Sequence, residues 1–179
     1  LRNEGNLLPL PDVPDVPRRL QVIILSDSDD PATGRFFVQT LREVVPDDRI
    51  ASRLLDVRSH PDDYRAALEA AARADVVLVP AYLFVRSGTG RIRLPERQRT
   101  FLDALIAQGR PVVLIAFGNP YLIMDLQRPP AVYLAAYGGS ESTQRAAVQA
   151  IFGQAPFTGR LPITIPGHFQ RGDGLHPQQ

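Results

Sequence analysis

The stretch Pro111-Val112-Val113-Leu114-Ile115-Ala116-Phe117-Gly118-Asn119-Pro120-Tyr121 runs through seven residues with no polar side chain and then breaks at a glycine. A strand with one wet face alternates apolar and polar side chains, whereas an unbroken apolar run belongs to a strand covered on both faces. Ala131 to Ala135 reads the same way, and Leu20 to Leu25, Asp75 to Val79 and Ile50 to Val57 read as further strands. Amphipathic stretches separate them. Residues 33 to 45 place Phe37, Leu41, Val44 and Val45 at helical spacing and end at Pro46. Pro61 opens a helix with Asp62 and Asp63 at its positive end and Tyr64, Leu68 and Ala72 on one face. Pro95 opens another, bearing Phe101, Leu102, Leu105 and Ile106 and stopped by Gly109. Ser140 is the N-cap of a fourth, which carries Ala146, Ala147, Ala150 and Ile151 and has Gly153 as its C′ residue. Strands alternating with helices predict an α/β fold, a three-layer α/β/α sandwich around a mainly parallel sheet of five to six strands. Leu161 to Ile165 is expected as a short peripheral strand, and Ile23, Ile24, Val77, Leu78, Val113, Leu114 and Leu134 as core.

The 179 residues, 44% hydrophobic and 22% charged, fit one core and one domain. The expected divisions are a linker segment at 1–19, the sandwich at 20–166 and a mobile tail at 167–179. A net charge of +1 spreads no basic field, which disfavours nucleic acid as a partner. All 20 basic residues are arginine. A chain without lysine makes no P-loop, Schiff base or phosphatase-type clamp, since each needs an ammonium on a flexible stem. The absence of cysteine removes disulfides, thiolate metal sites and thiol nucleophiles. No apolar run is long enough for a membrane span.

Ligands of open α/β sheets sit beyond the carboxyl ends of the strands. The polar residues there are Asp27 and Asp29, Arg86, Asn119 and Tyr121, and Tyr137 and Glu141. Each has a plainer reading. Ser26-Asp27-Ser28-Asp29-Asp30 echoes the D-x-D of haloacid dehalogenase phosphatases but the chain lacks their lysine, and the run reads instead as a solvated acidic turn capping the next helix. Arg86-Ser87-Gly88-Thr89-Gly90-Arg91 offers backbone amides to an anion, or is a surface loop. Glu141 is a proton donor or a first-turn acid placed for the helix dipole. Asn119 and Tyr121 contact a sugar, or Asn119-Pro120 makes the turn and Tyr121 packs under the following helix. His60, His168 and His176 are too scattered for a metal site or a triad, and no cofactor signature is present.

Four segments in order resemble the C-terminal α/β-sandwich domain of family 3 glycoside hydrolases. They are Leu1-Arg2-Asn3-Glu4-Gly5-Asn6-Leu7-Leu8-Pro9-Leu10, the Pro111–Tyr121 run, Tyr137-Gly138-Gly139-Ser140-Glu141, and the G-x-x-P-x-x-G-R-L-P run from Gly153 to Pro162. The resemblance implies a retaining enzyme for terminal β-linked sugars whose carboxylate nucleophile lies on a (β/α)8 barrel upstream in the same polypeptide. For a member of the β-N-acetylglucosaminidase branch it implies no catalytic residue in this chain, and it implies a periplasmic or secreted bacterial location; neither a metal nor a cofactor is expected. Members of the β-glucosidase type take a Glu proton donor from this domain, whereas β-N-acetylglucosaminidases use a barrel His. The Phe117–Tyr121 turn and Gly90-Arg91-Ile92-Arg93-Leu94-Pro95 look closer to the second branch. Arg86, Asn119, Tyr121 and Glu141, then Asp27 and Asp29, are the substrate-facing candidates. The rival readings are a free-standing flavodoxin-like binding module and a purely structural domain.

Overall fold

The computed structural model describes residues 1–11, 19–84 and 94–175. Its strands are β1 (Arg2–Asn3), β2 (Leu20–Ser26), β3 (Ile50–Leu55), β4 (Val76–Tyr82), β5 (Val112–Ala116) and β6 (Val132–Ala135). The helices are α1 (Arg35–Val44), α2 (Pro61–Ala72), α3 (Glu96–Ala107) and α4 (Glu141–Ile151). One six-stranded sheet runs β1-β6-β5-β4-β2-β3. β2 to β6 are mutually parallel, and β1 pairs antiparallel with β6.

Strand side chains alternate between two cores. Ile23, Leu25, Val77, Val79, Leu114 and Tyr133 point to one face, where they meet Tyr64 and Ala67 of α2 and Phe101, Leu102 and Leu105 of α3. Val22, Ile24, Leu78, Val113, Ile115 and Leu134 point to the other, against Phe37 and Leu41 of α1 and Val148 and Ile151 of α4. All seven residues expected in the core are at most 7% exposed. Burial of each large apolar side chain contributes roughly 1.5–3 kcal/mol before entropy is counted. The predicted stop signals act as expected: Gly109 and Gly153 take φ +75° and +74° just past α3 and α4. The Ser140 hydroxyl caps α4 by accepting from the Thr143 amide.

The structure corrects three boundaries. The strand expected to end at Val79 continues through Pro80 to Tyr82. A proline inside a central strand removes a ladder donor. Here β2 and β4 are in register at Val22–Leu78 and again at Leu25–Ala81, with no pairing opposite Val79 and Pro80, while β5 pairs throughout on the other side. The Ile50 strand ends at Leu55, where Asp56 begins a turn. Leu161 to Ile165 is not a strand of the sheet. Pro162 and Pro166 supply no amide donors, and the segment instead drops Leu161 and Ile165 into the α2–α3 core, held by Leu161 N–H to Asp173 O and by the paired Ile165 and Phe169 backbones.

The edge beside β6 belongs to the opening segment. Arg2–Asn3 adds the antiparallel strand, the Asn3 amide group bridges the backbone of Leu8 in both directions, and Leu8 and Leu10 are buried beside α4. At the other end, residues 167–175, in the tail expected to be mobile, fold back so that Phe169 stacks on Tyr133 with ring centroids 6.2 Å apart.

Candidate functional site at the carboxyl ends of the strands

In this strand order the chain leaves β2 for α1 on one face of the sheet, while the neighbouring β4 leads to α3 on the other. Such a divergence opens a crevice at the carboxyl ends. A cleft of about 520 Å³ lies there, lined by Ser26, Asp27, Phe36, Tyr82, Phe84 and Gln144 among others.

Its wall is a hydrogen-bonded cluster around Gln144, which is 4% exposed. The Oε1 atom accepts from the Tyr82 hydroxyl at 2.7 Å and from the Phe37 amide at 3.0 Å, and Nε2 donates to the Gly139 carbonyl at 2.7 Å. Burial drives the Tyr82 phenol far above its ordinary pKa, so it is a neutral donor. The Tyr82 ring stacks on Phe117 with centroids 4.8 Å apart. Gly118 lets the next strand end come this close, because a Cβ there would collide with the carbonyl oxygen of Leu83.

The candidates read from the sequence divide among separate places. Asp27 is half-buried at the cleft and Asp29 is exposed. Their turn is organised locally, with the Ser28 amide donating to Ser26 Oγ and the Ala32 amide to Asp30 Oδ1. Asn119 is 7% exposed and its Oδ1 accepts from the Tyr121 amide, capping the 3-10 turn at Pro120–Asp125. Tyr121 packs partly buried against the α2–α3 core and lies near Tyr137, whose phenol is raised above its usual pKa by burial and then by Tyr121. Glu141 is exposed in the first turn of α4, 3.9 Å from Arg145. Arg86 and the Gly88–Gly90 loop lie outside the described residues.

Two functional-looking groups escaped the sequence reading. Asp56, directly after β3, is the one buried carboxylate among the described residues. Burial opposes its charge, but bonds from the Arg58 side chain at 2.6 and 3.1 Å, from the Arg58 amide at 2.9 Å and from Ser59 outweigh this and hold its pKa below the ordinary value. Gln144 stands four residues before Val148 on the inward face of α4, and a polar side chain in that stripe was the available signal. Among the described residues no three His, Asp or Glu gather to hold a metal ion.

Residues 1–177 match the glycosyl hydrolase family 3 C-terminal domain. The chain belongs to this family. This family 3 domain is 31% identical over 119 residues to the periplasmic beta-glucosidase of Salmonella typhimurium, an alignment covering 63% of the chain and 15% of that relative. Among solved structures it superposes on a fungal multi-domain family 3 beta-N-acetylglucosaminidase with a TM-score of 0.70 at 20% identity, covering 99% of this chain and 18% of the other. A beta-glucoside phosphorylase, BglX, gives 0.66 at 20% identity, covering 94% and 29%. The domain therefore spans less than a third of the length of these relatives, and the shared sandwich fold is what the two structures establish.

Proposed function

We propose that this domain serves a longer polypeptide as the scaffold and one pocket wall of a retaining glycosidase for terminal β-linked sugars. In this reading β-N-acetylglucosaminides rank ahead of β-glucosides, and the nucleophile lies on a (β/α)8 barrel upstream. The observation that carries the reading is the fate of the polar groups at the strand ends. Gln144 ties three elements together, and the one buried carboxylate among the described residues, Asp56, is held by Arg58 and Ser59. A retaining glycosidase places two carboxyl groups roughly 5–5.5 Å apart with one kept protonated, and an ionised, fully hydrogen-bonded Asp56 does not supply that proton. Asn119, Tyr121, Arg86 and Glu141, with Asp27 and Asp29 behind them, are the residues we assign to the substrate side of the wall. The periplasmic relative supports an exported parent protein.

The test is turnover of nitrophenyl β-N-acetylglucosaminide and β-glucoside. The 179-residue chain should match a buffer blank while the full-length polypeptide releases nitrophenol. Activity in the chain alone that disappears in Asp27→Asn or Glu141→Gln would overturn the scaffold assignment. In the full-length enzyme, Arg86→Ala and Asn119→Ala with unchanged kcat/KM would remove the pocket-wall role.

A further inference from the structure

The net charge of +1 is unevenly spread over the fold. An arginine precedes each parallel strand: Arg49 before β3, Arg19 before β2, Arg73 before β4, Arg110 before β5 and Arg128 before β6. In sheet order they form a row along the amino-end rim, about 20 Å long at roughly 4.8 Å per strand. Among the described residues Arg19, Arg53, Arg73, Arg110, Arg128 and Arg171 make no ion pair, side-chain hydrogen bond or ring contact, and four of these six stand in the row. Carboxylates on that rim are fewer. Asp48, Glu69 and Asp75 lie in the same turns or the last turn of α2, and Asp75 Oδ2 already accepts from the Arg19 amide at 3.0 Å. The acids gather at the other rim, where Asp27, Asp29 and Asp30 follow β2 and Asp56, Asp62 and Asp63 follow β3. Helix dipoles favour cations at helix C-termini, which accounts for Arg73, the C-cap of α2, but Arg19 and Arg110 lie outside the helices. Like charges on neighbouring strand ends repel, so a bound anion stabilises the row.

A second observation narrows the ligand. A cleft of about 330 Å³ opens at this rim, lined by Arg19, Arg49 and Arg73 together with Gln21, Ile50 and Ala51. Guanidinium forks match carboxylate and phosphate oxygens bidentately, so the cleft receives one anionic group, and Arg110 and Arg128 further along receive others of the same chain. The exposed large apolar side chains of the described residues, Phe36, Val57, Phe84, Met124 and Tyr137, all follow the carboxyl ends of strands. Among the described residues the amino-end rim therefore has no exposed ring on which a base could stack and no apolar wedge for a bilayer. A polymer held through its charges fits such a rim, and the glycosidase reading makes that polymer a sugar chain.

We propose that the amino-end rim binds an acidic polysaccharide along Arg49, Arg19, Arg73 and Arg110, with one of its anionic groups in the cleft. The inference rests on the glycosidase reading above and adds the chemistry of the sugar chain. The test measures binding of the full-length polypeptide, by titration calorimetry, to an oligogalacturonate long enough to span the row. A neutral maltodextrin of the same length, a DNA duplex and phosphatidylglycerol vesicles are titrated beside it. The parent should bind the oligogalacturonate with an affinity that falls as salt rises, and should not bind the maltodextrin. Arg19→Gln with Arg73→Gln should weaken binding about tenfold or more, the loss expected for hydrogen bonds to charged groups. Arg53→Gln with Arg171→Gln removes the same charge from two arginines that stand off the row, and should change affinity less than about twofold. Equal losses in the two double variants assign binding to net charge and overturn the proposal, as does tighter binding to the duplex or the vesicles. Binding that follows the row in a polypeptide without glycosidase turnover keeps the anionic-chain site and removes the enzymatic reading; turnover without oligogalacturonate binding does the reverse.

Discussion

The Tyr82 hydroxyl donates to Gln144 Oε1 at 2.7 Å, joining the end of a central strand to the first turns of a helix 62 residues away. The same oxygen accepts from the Phe37 amide and the same side chain donates to Gly139, so Gln144 holds α1, β4 and the β6–α4 junction together. Removal of one partner that leaves others buried and unpaired costs more than the bond itself. Gln144→Ala strands three groups and should lower unfolding free energy by about 2–4 kcal/mol, against about 1 kcal/mol for Tyr82→Phe. Denaturant midpoints of the two variants and their double mutant would check this. The double mutant should be less destabilised than the sum, since both changes break one shared bond.

Gly118 is required by proximity alone. Its φ is ordinary, but a Cβ would run into the backbone of Leu83, which cannot move without disturbing the bond from the Asn119 amide to the Leu83 carbonyl. Gly118→Ala should cost about 2 kcal/mol or more, in the range of overpacking a tight site. Gly159→Ala is the control. An added methyl there meets nothing within 4 Å, and the change in stability should be less than about 0.5 kcal/mol. Equal thermal midpoints for the two would contradict the steric account.

Asp56 gives the fold a pH dependence whose direction follows from its lowered pKa. A carboxyl group with a depressed folded value stabilises above its unfolded value, about 3.9, and that contribution is lost as pH falls through the folded value. Asp56→Asn should therefore be less stable than the parent near neutral pH, and the difference should shrink as pH falls below about 4. Urea midpoints of both proteins over that range supply the measurement. A difference that stays constant through the acid range would assign the effect to packing.

The C-terminal fold-back is part of the core and should behave as such. Leu161 is 3% exposed and Ile165 fully buried beside Tyr133 and Phe169. Leu161→Ala or Ile165→Ala should each cost about 2–4 kcal/mol, as for large-to-small changes elsewhere in a core. Phe169→Ala should cost less, because Phe169 is only partly buried. Loss of stability in all three, smallest for Phe169→Ala, is read directly from chemical denaturation.

The amino-acid sequence by itself determined the layers. Unbroken runs such as Val112–Ala116 have no polar side to show water, so they must lie inside a sheet covered on both faces, and Ser140, Gly109 and Gly153 bound their helices through local backbone chemistry. The tertiary structure alone decided the edges and the site. Arg2–Asn3 is a strand only because β6, far along the chain, offers it an unpaired edge. Leu161–Ile165 is not one because Pro162 and the flanking Pro166 cannot donate while its apolar side chains find a core to enter. Asn119 and Gln144 are equally polar in sequence, and which groups each one satisfies depends on how β4, α1 and α4 approach one another. Periodicity reports which way a side chain faces. The hydrogen-bond partner it meets there is set by contacts between segments far apart in the chain.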